Sequence, residues 1–425
     1  MLHSNQKVNR TLAEVACFFH NKYSMKPFLF CGLAAILCFA GACSASDVDS
    51  IQREDLFSLD IGPMEDQIAL YGLEGDGGRR RADIAMRDGF FYIADSGSGK
   101  IVRYNSYGDL LFMIYNEETT PEPVSLKTNV EDGVQATRWA YTYPLRSPGK
   151  IAVDSRKHIF IEEHLPHERQ SYDEENRTLL SSVILHFDAD GRFIEYLGQG
   201  GQGGNPFPNI AGLYASMHDE IAVVCRLPAG WNVYWYSADG EQLFLIRFRN
   251  DAIPIPPDWP EYIASVETIM AAPDERKLYV KVDYYRNVYD ESTNTRISTE
   301  PASSLIWILN VEDGLYENPV DVPFYEYSHS EKGRTSNVRL LYTMLGLVRG
   351  GGILLHFPIE TGYAILRMDS AGLGQRRGLI RVDPDELWFN SFHLSPEGIL
   401  SALLADEWKI RVAWWRLDRF LRDAP

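Results

Sequence analysis

The stretch Asp83-Ile-Ala-Met-Arg-Asp-Gly-Phe-Phe-Tyr-Ile-Ala-Asp-Ser-Gly-Ser-Gly-Lys-Ile-Val-Arg-Tyr-Asn-Ser-Tyr-Gly108 contains three β-rich runs separated by glycine-bearing turns. A fourth run, Leu110-Leu-Phe-Met-Ile114, follows the last of these turns. Asp-Gly turns and Gly-Ser loops between such runs favour hairpins, because glycine supplies the positive φ that tight turns need. The stretch therefore predicts one four-stranded antiparallel unit.

The last hairpin of this unit recurs along the chain. The copies read Val102-Arg-Tyr-Asn-Ser-Tyr-Gly108, Leu185-His-Phe-Asp-Ala-Asp-Gly191, Tyr234-Trp-Tyr-Ser-Ala-Asp-Gly240, Ile308-Leu-Asn-Val-Glu-Asp-Gly314 and Leu366-Arg-Met-Asp-Ser-Ala-Gly372. A sixth copy, Ala413-Trp-Trp-Arg-Leu-Asp418, has no second strand after it. Each copy follows another β-hairpin pattern, so the sequence predicts an all-β fold, a six-bladed β-propeller.

The last predicted blade lacks an outer strand, and a candidate for that strand lies near the N-terminus. The segment Asp55-Leu-Phe-Ser-Leu-Asp-Ile-Gly62 alternates in the manner of a strand but has no hairpin partner. We expect it to pair with the final blade and so to close the ring. The propeller is predicted to span residues 55–425.

The N-terminal residues resemble a bacterial lipoprotein signal. Pro27–Ala42 is an uncharged run preceded by lysines, too short for a membrane span of about 20 residues. Ala40-Gly41-Ala42-Cys43 then resembles a lipobox, with Ala40 where leucine is usual. We expect a signal peptide over residues 1–42, a lipid on Cys43 and a tether over 43–54; Met25 offers a second start. The alternative is an ordinary cleaved signal peptide.

The first predicted blade, Asp83 to Gly108, resembles an NHL repeat. The run Tyr196-Leu-Gly-Gln-Gly-Gly-Gln-Gly-Gly204 resembles the linker between blades of that family. The resemblance implies a propeller. It leaves function open, because NHL-type propellers include both binding scaffolds and enzymes.

Charge and cysteine content limit the partners and the chemistry. The chain has 41 Lys and Arg against 59 Asp and Glu, a net charge of −18, which disfavours binding to nucleic acid. Four of the five cysteines precede residue 44, and Cys225 ends the apolar run Ile221-Ala-Val-Val-Cys. We expect Cys225 to be a buried thiol in a strand and not a nucleophile.

One histidine pair could hold a metal ion. His164-Leu-Pro-His167, flanked by glutamates, has the ligand types that Zn²⁺ prefers, although Pro166 breaks any helix that would align the pair. We therefore expect a polar loop with no cofactor, and the metal site is the alternative. His186, His356 and His393 lie in or beside predicted strands, where we expect core or channel positions.

Long inserts are predicted at one end of the propeller, where connectors between blades and loops between second and third strands meet. They are Asn116–Ser147, Glu163–Ser181, Asn250–Ile263, Tyr284–Ser303 and Pro323–Asn337. Their aromatic residues include the predicted binding residues Trp139, Tyr141, Tyr143, Tyr172, Trp259, Tyr284 and Tyr285. Exposed Trp and Tyr are favoured binding anchors, but the same rings could instead cap the core.

Three functions are compatible with these patterns. The first is a lipid-anchored scaffold of the bacterial envelope, membrane-attached on the periplasmic or outer-membrane side, that binds a protein, peptide or glycan. The second is an enzyme resembling metal-dependent propeller lactonases or lyases, with a divalent metal. The third is a structural envelope component with no small ligand.

Overall fold

The computed structural model describes residues 49–70, 82–128, 138–331 and 334–421. Within these ranges the chain is built of strands, with one short α-helix, α1 (Asp418–Leu421), and four single 3-10 turns. The predicted all-β propeller class is confirmed. The predicted signal peptide and Cys43 lie outside the described residues. No described helix has the length and apolar character needed to cross a membrane.

The strands in the first half of the chain are β1 (Asp49–Ile51), β2 (Arg53–Ile61), β3 (Gln67–Ile68), β4 (Ala82–Arg87), β5 (Phe90–Asp95), β6 (Lys100–Tyr104), β7 (Leu110–Tyr115), β8 (Lys127–Thr128), β9 (Trp139–Thr142), β10 (Pro148–Val153), β11 (Ile159–His164), β12 (Ser171–Asp173), β13 (Thr178–Leu180), β14 (Ser182–Phe187), β15 (Phe193–Gly198) and β16 (Gly201–Gln202). The second half contains β17 (Asn209–Ala215), β18 (Ile221–Leu227), β19 (Gly230–Tyr236), β20 (Gln242–Arg249), β21 (Ile263–Ala271), β22 (Lys277–Tyr289), β23 (Arg296–Asn310), β24 (Val320–Asp321), β25 (Tyr325–Glu331), β26 (Arg334–Leu340), β27 (Thr343–Val348), β28 (Gly352–Ile359), β29 (Gly362–Met368), β30 (Arg376–Arg381), β31 (Phe389–Leu394), β32 (Ile399–Ala405) and β33 (Lys409–Arg416).

The described strands form six large sheets and two ribbons. In strand order the sheets are I (β4-β5-β6-β7-β9-β8), II (β10-β11-β14-β15-β16), III (β17-β18-β19-β20), IV (β21-β22-β23-β24), V (β27-β28-β29-β30-β1) and VI (β31-β32-β33-β2-β3). The ribbons are β12–β13 and β25–β26. The first strand of each sheet contacts the first strands of two other sheets, and β31 contacts β4.

Six apolar clusters fill the spaces between neighbouring sheets. One cluster combines residues of sheets I and VI, and each of the others joins two sheets that follow each other in the chain. Strand β22 illustrates how packing on both faces of a sheet determines its apolar sequence pattern. Leu278, Val280 and Val282 pack toward sheet III, whereas Tyr279 packs toward sheet V. Because both faces of the sheet are covered here, the successive residues Leu278, Tyr279 and Val280 are all apolar.

The repeated turn glycines take the conformation that the sequence predicts. Gly108, Gly191, Gly240, Gly314 and Gly372 have φ values between 71° and 86°. Gly191 also lies against another sheet, because a Cβ placed there would be 2.0 Å from Cε2 of Phe112. Positive φ and close approach therefore both favour glycine at this turn.

The N-terminal segment joins the last two sheets. Strand β2 pairs antiparallel with β33, with Leu59 opposite Ile410, so the prediction that residues 55–62 supply an outer strand for the final unit is confirmed. Strand β1 pairs in parallel with β30 of sheet V. This second pairing corrects the predicted tether, since residues 49–51 and 53–54 belong to strands. The tether was placed too far along the chain because three residues are too few to show strand periodicity.

Each sheet has one end at which its first strand begins and its second strand finishes. In sheet I this end is marked by the pairs Ala82 with Asp95, Asp95 with Lys100, and Lys100 with Tyr115. We call it the insert end, because the five predicted inserts all join strands there. The opposite end, where the repeated glycine turns lie, is called the turn end. At the insert ends of sheets I and II, the hydroxyls of Ser96 and Ser147 are 2.8 Å apart.

Candidate functional site

The inserts carry both regular structure and exposed side chains. The insert Tyr284–Ser303, predicted as a loop, instead extends the hairpin of β22 and β23 beyond sheet IV. The insert Pro323–Asn337 contributes most of the ribbon β25–β26. A hairpin with continuous backbone pairing holds its side chains in fixed positions. An irregular loop of the same length positions its side chains less precisely.

Most of the predicted binding aromatics support the core. Trp139, Tyr141 and Tyr143 are partly buried against the cluster between sheets I and II. The indole of Trp139 donates a 2.7 Å hydrogen bond to the carbonyl of Asp190. Trp259 packs in the same way against the cluster between sheets III and IV. These contacts favour the capping interpretation for these rings.

The remaining predicted aromatics divide between the core and the surface. Tyr284 is fully buried and donates a 2.6 Å hydrogen bond to the carbonyl of Pro254, so its side chain is not available as a surface anchor. Tyr284 lies within β22, whereas the sequence pattern predicted that a loop begins at this residue. Tyr285 is partly buried, and burial raises the pKa of its hydroxyl. Tyr172 is exposed on the ribbon β12–β13.

Large exposed apolar side chains concentrate at the insert end. Among the described residues, eleven of the eighteen lie there, in connectors, second-to-third-strand turns, strand starts or projecting hairpins. They are Met64, Val124, Tyr172, Leu179, Ile255, Ile263, Tyr289, Ile297, Tyr327, Trp388 and Trp408. The sequence analysis did not select Trp388 and Trp408. Each nevertheless follows an Asp-Glu pair (Asp385-Glu386 and Asp406-Glu407) in a segment between two predicted strands.

A central cavity of about 300 Å³ is lined by the first strands of all six sheets. Asp83 lies on this lining and accepts hydrogen bonds from the backbone N of Ile151 (3.2 Å) and the hydroxyl of Ser391 (2.8 Å). It therefore connects sheet I to sheets II and VI. The carboxylate acts here as a cross-link between sheets.

His393 lines the central cavity, one of the two kinds of position, core or channel, that the sequence predicts for it. Its Nδ1 accepts a 3.2 Å hydrogen bond from the backbone N of Met86, and burial lowers the pKa of the imidazole to about 4. The ring is therefore neutral at pH 7, with its proton on Nε2. His186 is likewise buried, stacked on Phe160, and burial lowers its pKa to about 4.

The predicted metal pair is exposed and separate from this cavity. His164 ends β11, and His167 begins a 3-10 turn; Nε2 of His164 lies 3.4 Å from Nε2 of Gln170. Among the residues that the structure describes, no three His, Cys, Asp or Glu side chains are grouped to hold a metal ion. The metal-dependent function stays a prediction.

A buried carboxyl group lies beside the histidine pair. Glu163 is 5% exposed, and its Oε1 accepts hydrogen bonds from the backbone N atoms of Arg146 (2.7 Å) and Ser147 (3.4 Å). Its other oxygen is buried and makes no hydrogen bond within the described chain. Burial raises the pKa of Glu163 to about 7. This group can therefore exchange a proton near neutral pH.

A second buried charge cluster lies in sheet IV. Lys281 is fully buried, and its Nζ is 2.7 Å from Oδ1 of Asp283, which also accepts a 2.7 Å hydrogen bond from Ser304. Glu267 lies at a bulge of β21 with Oε2 3.8 Å from the same Nζ, and burial raises its pKa. The buried charges of Lys281 and Asp283 therefore have partners, through the ion pair and the hydrogen bond from Ser304. Such pairing offsets the cost of burying the charges, so the cluster fits a structural role.

Cys225 is confirmed as a buried thiol. It is fully buried in β18, and burial raises the pKa of its thiol well above the ordinary value. A buried, protonated thiol is a poor nucleophile.

Comparison with known proteins gives fold-level similarity only. No family model matches the chain, and no curated protein matches it. A polysaccharide lyase structure is similar over 87% of this chain and 100% of its own, with 9% identity and a TM-score of 0.40. The propeller domain of a trilobed protease from Pyrococcus furiosus aligns over 79% of this chain and 95% of its own (11% identity, TM-score 0.38). A gluconolactonase from Xanthomonas campestris aligns over 86% and 99% (13% identity, TM-score 0.35).

Proposed function

We propose that this protein is a binding scaffold of the bacterial cell envelope, anchored by a lipid on Cys43, that holds a protein, peptide or glycan partner on its insert end. The six large sheets serve as the six blades of one closed ring in this proposal. The contacts between first strands and the shared lining of the central cavity support that assignment.

The observation that carries the proposal is the uneven distribution of exposed apolar side chains. Soluble domains expose single apolar residues without consequence, whereas a concentration of them on one side of a molecule is typical of an interaction surface. Here the insert end carries eleven of the eighteen among the described residues, including Trp388 at 50% exposure and Trp408 at 73%. Large aromatic anchors dominate interface energies.

The buried side chains of the inserts fit the same function, because they support the exposed surface. Trp139 and Trp259 pack on the sheets below them, and Tyr284 fixes the segment before β21 through Pro254. Such contacts hold the surface in place before a partner arrives, which reduces the entropy that binding costs. The surface residues proposed to contact the partner are Tyr172, Tyr289, Ile297, Trp388 and Trp408.

The proposal is tested by affinity capture from solubilised envelope fractions. The wild-type protein should retain a partner that the Trp388→Ala/Trp408→Ala double variant loses. The matched control is Tyr107→Ala/Leu373→Ala, which removes two large apolar side chains from the turn end that are also more than half exposed (86% and 67%). Equal capture by all three proteins, or loss in the control alone, contradicts binding at the insert end.

A further inference from the structure

Trp388 and Trp408 occupy neighbouring segments at the insert end of sheet VI. Trp388 lies in the connector from sheet V, two residues after the 3-10 turn Pro384–Glu386, and Trp408 lies in the turn between β32 and β33. Each indole has at least half of its residue surface exposed. Tryptophan is on average among the more buried residues, so two such exposed residues on neighbouring segments are unusual for a surface without a ligand.

The backbone holds both tryptophans in place. The N–H of Trp388 donates a 3.1 Å hydrogen bond to the carbonyl of Ala405, at the end of β32. The N–H of Trp408 donates to Oδ1 of Asp406 at 2.7 Å. Leu387 also bridges in parallel to Ala405. The two rings therefore project from one hydrogen-bonded unit.

Acidic residues accompany both rings. The local sequences are Asp385-Glu386-Leu-Trp388 and Asp406-Glu407-Trp408. Asp385 and Glu407 are exposed, and neither carboxylate has an ion-pair partner within the described residues. Glu386 differs from them because it is buried and bonded to the guanidinium groups of Arg53 and Arg411.

The basic residues near Trp388 and Trp408 either have acidic neighbours or belong to a different sheet. Lys409 is exposed and lies opposite Asp60 of β2 in the strand register, so a basic and an acidic residue face each other across this strand pair. Arg411 contacts the buried Glu386. Arg381 is exposed at the end of β30 in sheet V. Among the exposed charged residues of these segments, Asp60, Asp385 and Glu407 outnumber Lys409, so the local charge beside the two tryptophans is negative, in a chain whose net charge is −18.

We propose that Trp388 and Trp408 form a site for a lysine- or arginine-bearing segment of a protein partner. An indole face attracts a cation through its quadrupole, and tryptophan is the strongest of the aromatic residues in this role. The unpaired carboxylates of Asp385 and Glu407 add charge complementarity that favours a basic partner and disfavours an acidic one. This inference rests on the scaffold function and names its partner class.

The test uses isothermal titration with an end-blocked octapeptide in which lysine and serine alternate. A second peptide of the same sequence carries acetylated lysines, which removes the charge and keeps the length. The wild-type protein should bind the lysine peptide and not the acetylated one. Trp388→Ala and Trp408→Ala should each weaken binding by ~3-fold to ~10-fold, without a change in thermal midpoint.

A pair of charge variants separates local from global attraction. Glu407→Gln should weaken binding of the lysine peptide, and the effect should diminish as salt rises. Glu241→Gln makes the same change in net charge at the turn end and should leave binding unchanged. Equal weakening by both variants, or undiminished binding by the tryptophan variants, would show attraction to the overall negative charge and overturn the site.

Two further results would also overturn the inference. Binding of the acetylated peptide as tight as that of the lysine peptide would show an apolar site. Absence of lysine-peptide binding to the wild type, while the double tryptophan variant still loses its envelope partner, would reject the basic partner but keep the scaffold function. Absence of both would reject both.

Discussion

The ion pair between Arg53 and Glu386 links the N-terminal strand to the last sheet and gives a quantitative test of closure. Arg53 lies in β2, and its two terminal nitrogens are 2.5 and 3.1 Å from the carboxylate oxygens of Glu386. Glu386 is 5% exposed and lies in the connector that precedes β31. Arg53→Ala leaves this buried carboxylate with Arg411 as its remaining guanidinium partner.

The expected loss of stability follows from the burial of that pair. Breaking a fully buried ion pair costs about 3–5 kcal/mol, and a single hydrogen bond to a charged group contributes about 1.5–3 kcal/mol. Because Arg411 stays bound and the Arg53 side chain is 17% exposed, we expect about 2 kcal/mol. The measurement is the urea dependence of tryptophan emission at pH 7.

Asp55→Ala is the matched control for this prediction. Asp55 accepts a 2.7 Å hydrogen bond from Nε of the same arginine, but its side chain is 60% exposed. Exposed ion pairs contribute about 0–1 kcal/mol, so this variant should be close to the wild type. The reasoning is refuted if Arg53→Ala loses no more stability than Asp55→Ala.

Three other variants test separate parts of the structure. Gly191→Ala should lower the thermal midpoint, because the residue has a φ of 86° and its Cβ would meet Phe112; an unchanged midpoint would contradict the turn geometry. Glu163 should make the protein less stable as pH rises from about 4.5 to about 7, since burial favours its protonated form in the folded state. Over that window Glu163→Gln should lose less stability than the wild type, by an amount on the order of 3 kcal/mol; parallel pH profiles in urea titrations would contradict this. Cys43→Ala should move the protein from membranes to the soluble envelope fraction, and unchanged fractionation of the variant would contradict the lipid anchor.

Local sequence patterns were sufficient to predict most of the sheet structure. The turn glycines require positive φ whatever surrounds them, so residues such as Gly191 mark hairpins directly. The strand around Leu59 was also predicted, because an alternating segment without a hairpin partner needs one elsewhere. Asp49–Ile51 was missed since its parallel partner lies more than 300 residues away and leaves no local pattern.

The candidate site was harder to predict because exposure depends on tertiary packing. Trp139 and Trp408 are both tryptophans in turns or connectors, yet one packs on the core and the other is 73% exposed. Periodicity cannot distinguish them, since Trp139 begins the four-residue strand β9 and Trp408 lies in a turn, so neither belongs to a long regular element. The burial of the Glu163 carboxyl also depends on tertiary packing. Its hydrogen-bond donors are the backbone N atoms of Arg146 and Ser147, which lie in a different segment of the chain.

The most direct test of the central claim is site-specific photocross-linking in living cells. Replacement of Trp408 by p-benzoylphenylalanine places the probe at the insert end, and the same replacement at Tyr107 places it at the turn end, where the native side chain is 86% exposed. A scaffold that binds through its insert end should give a discrete cross-linked product at position 408 and none at position 107. Products at position 107 alone, or at neither position, would contradict the account.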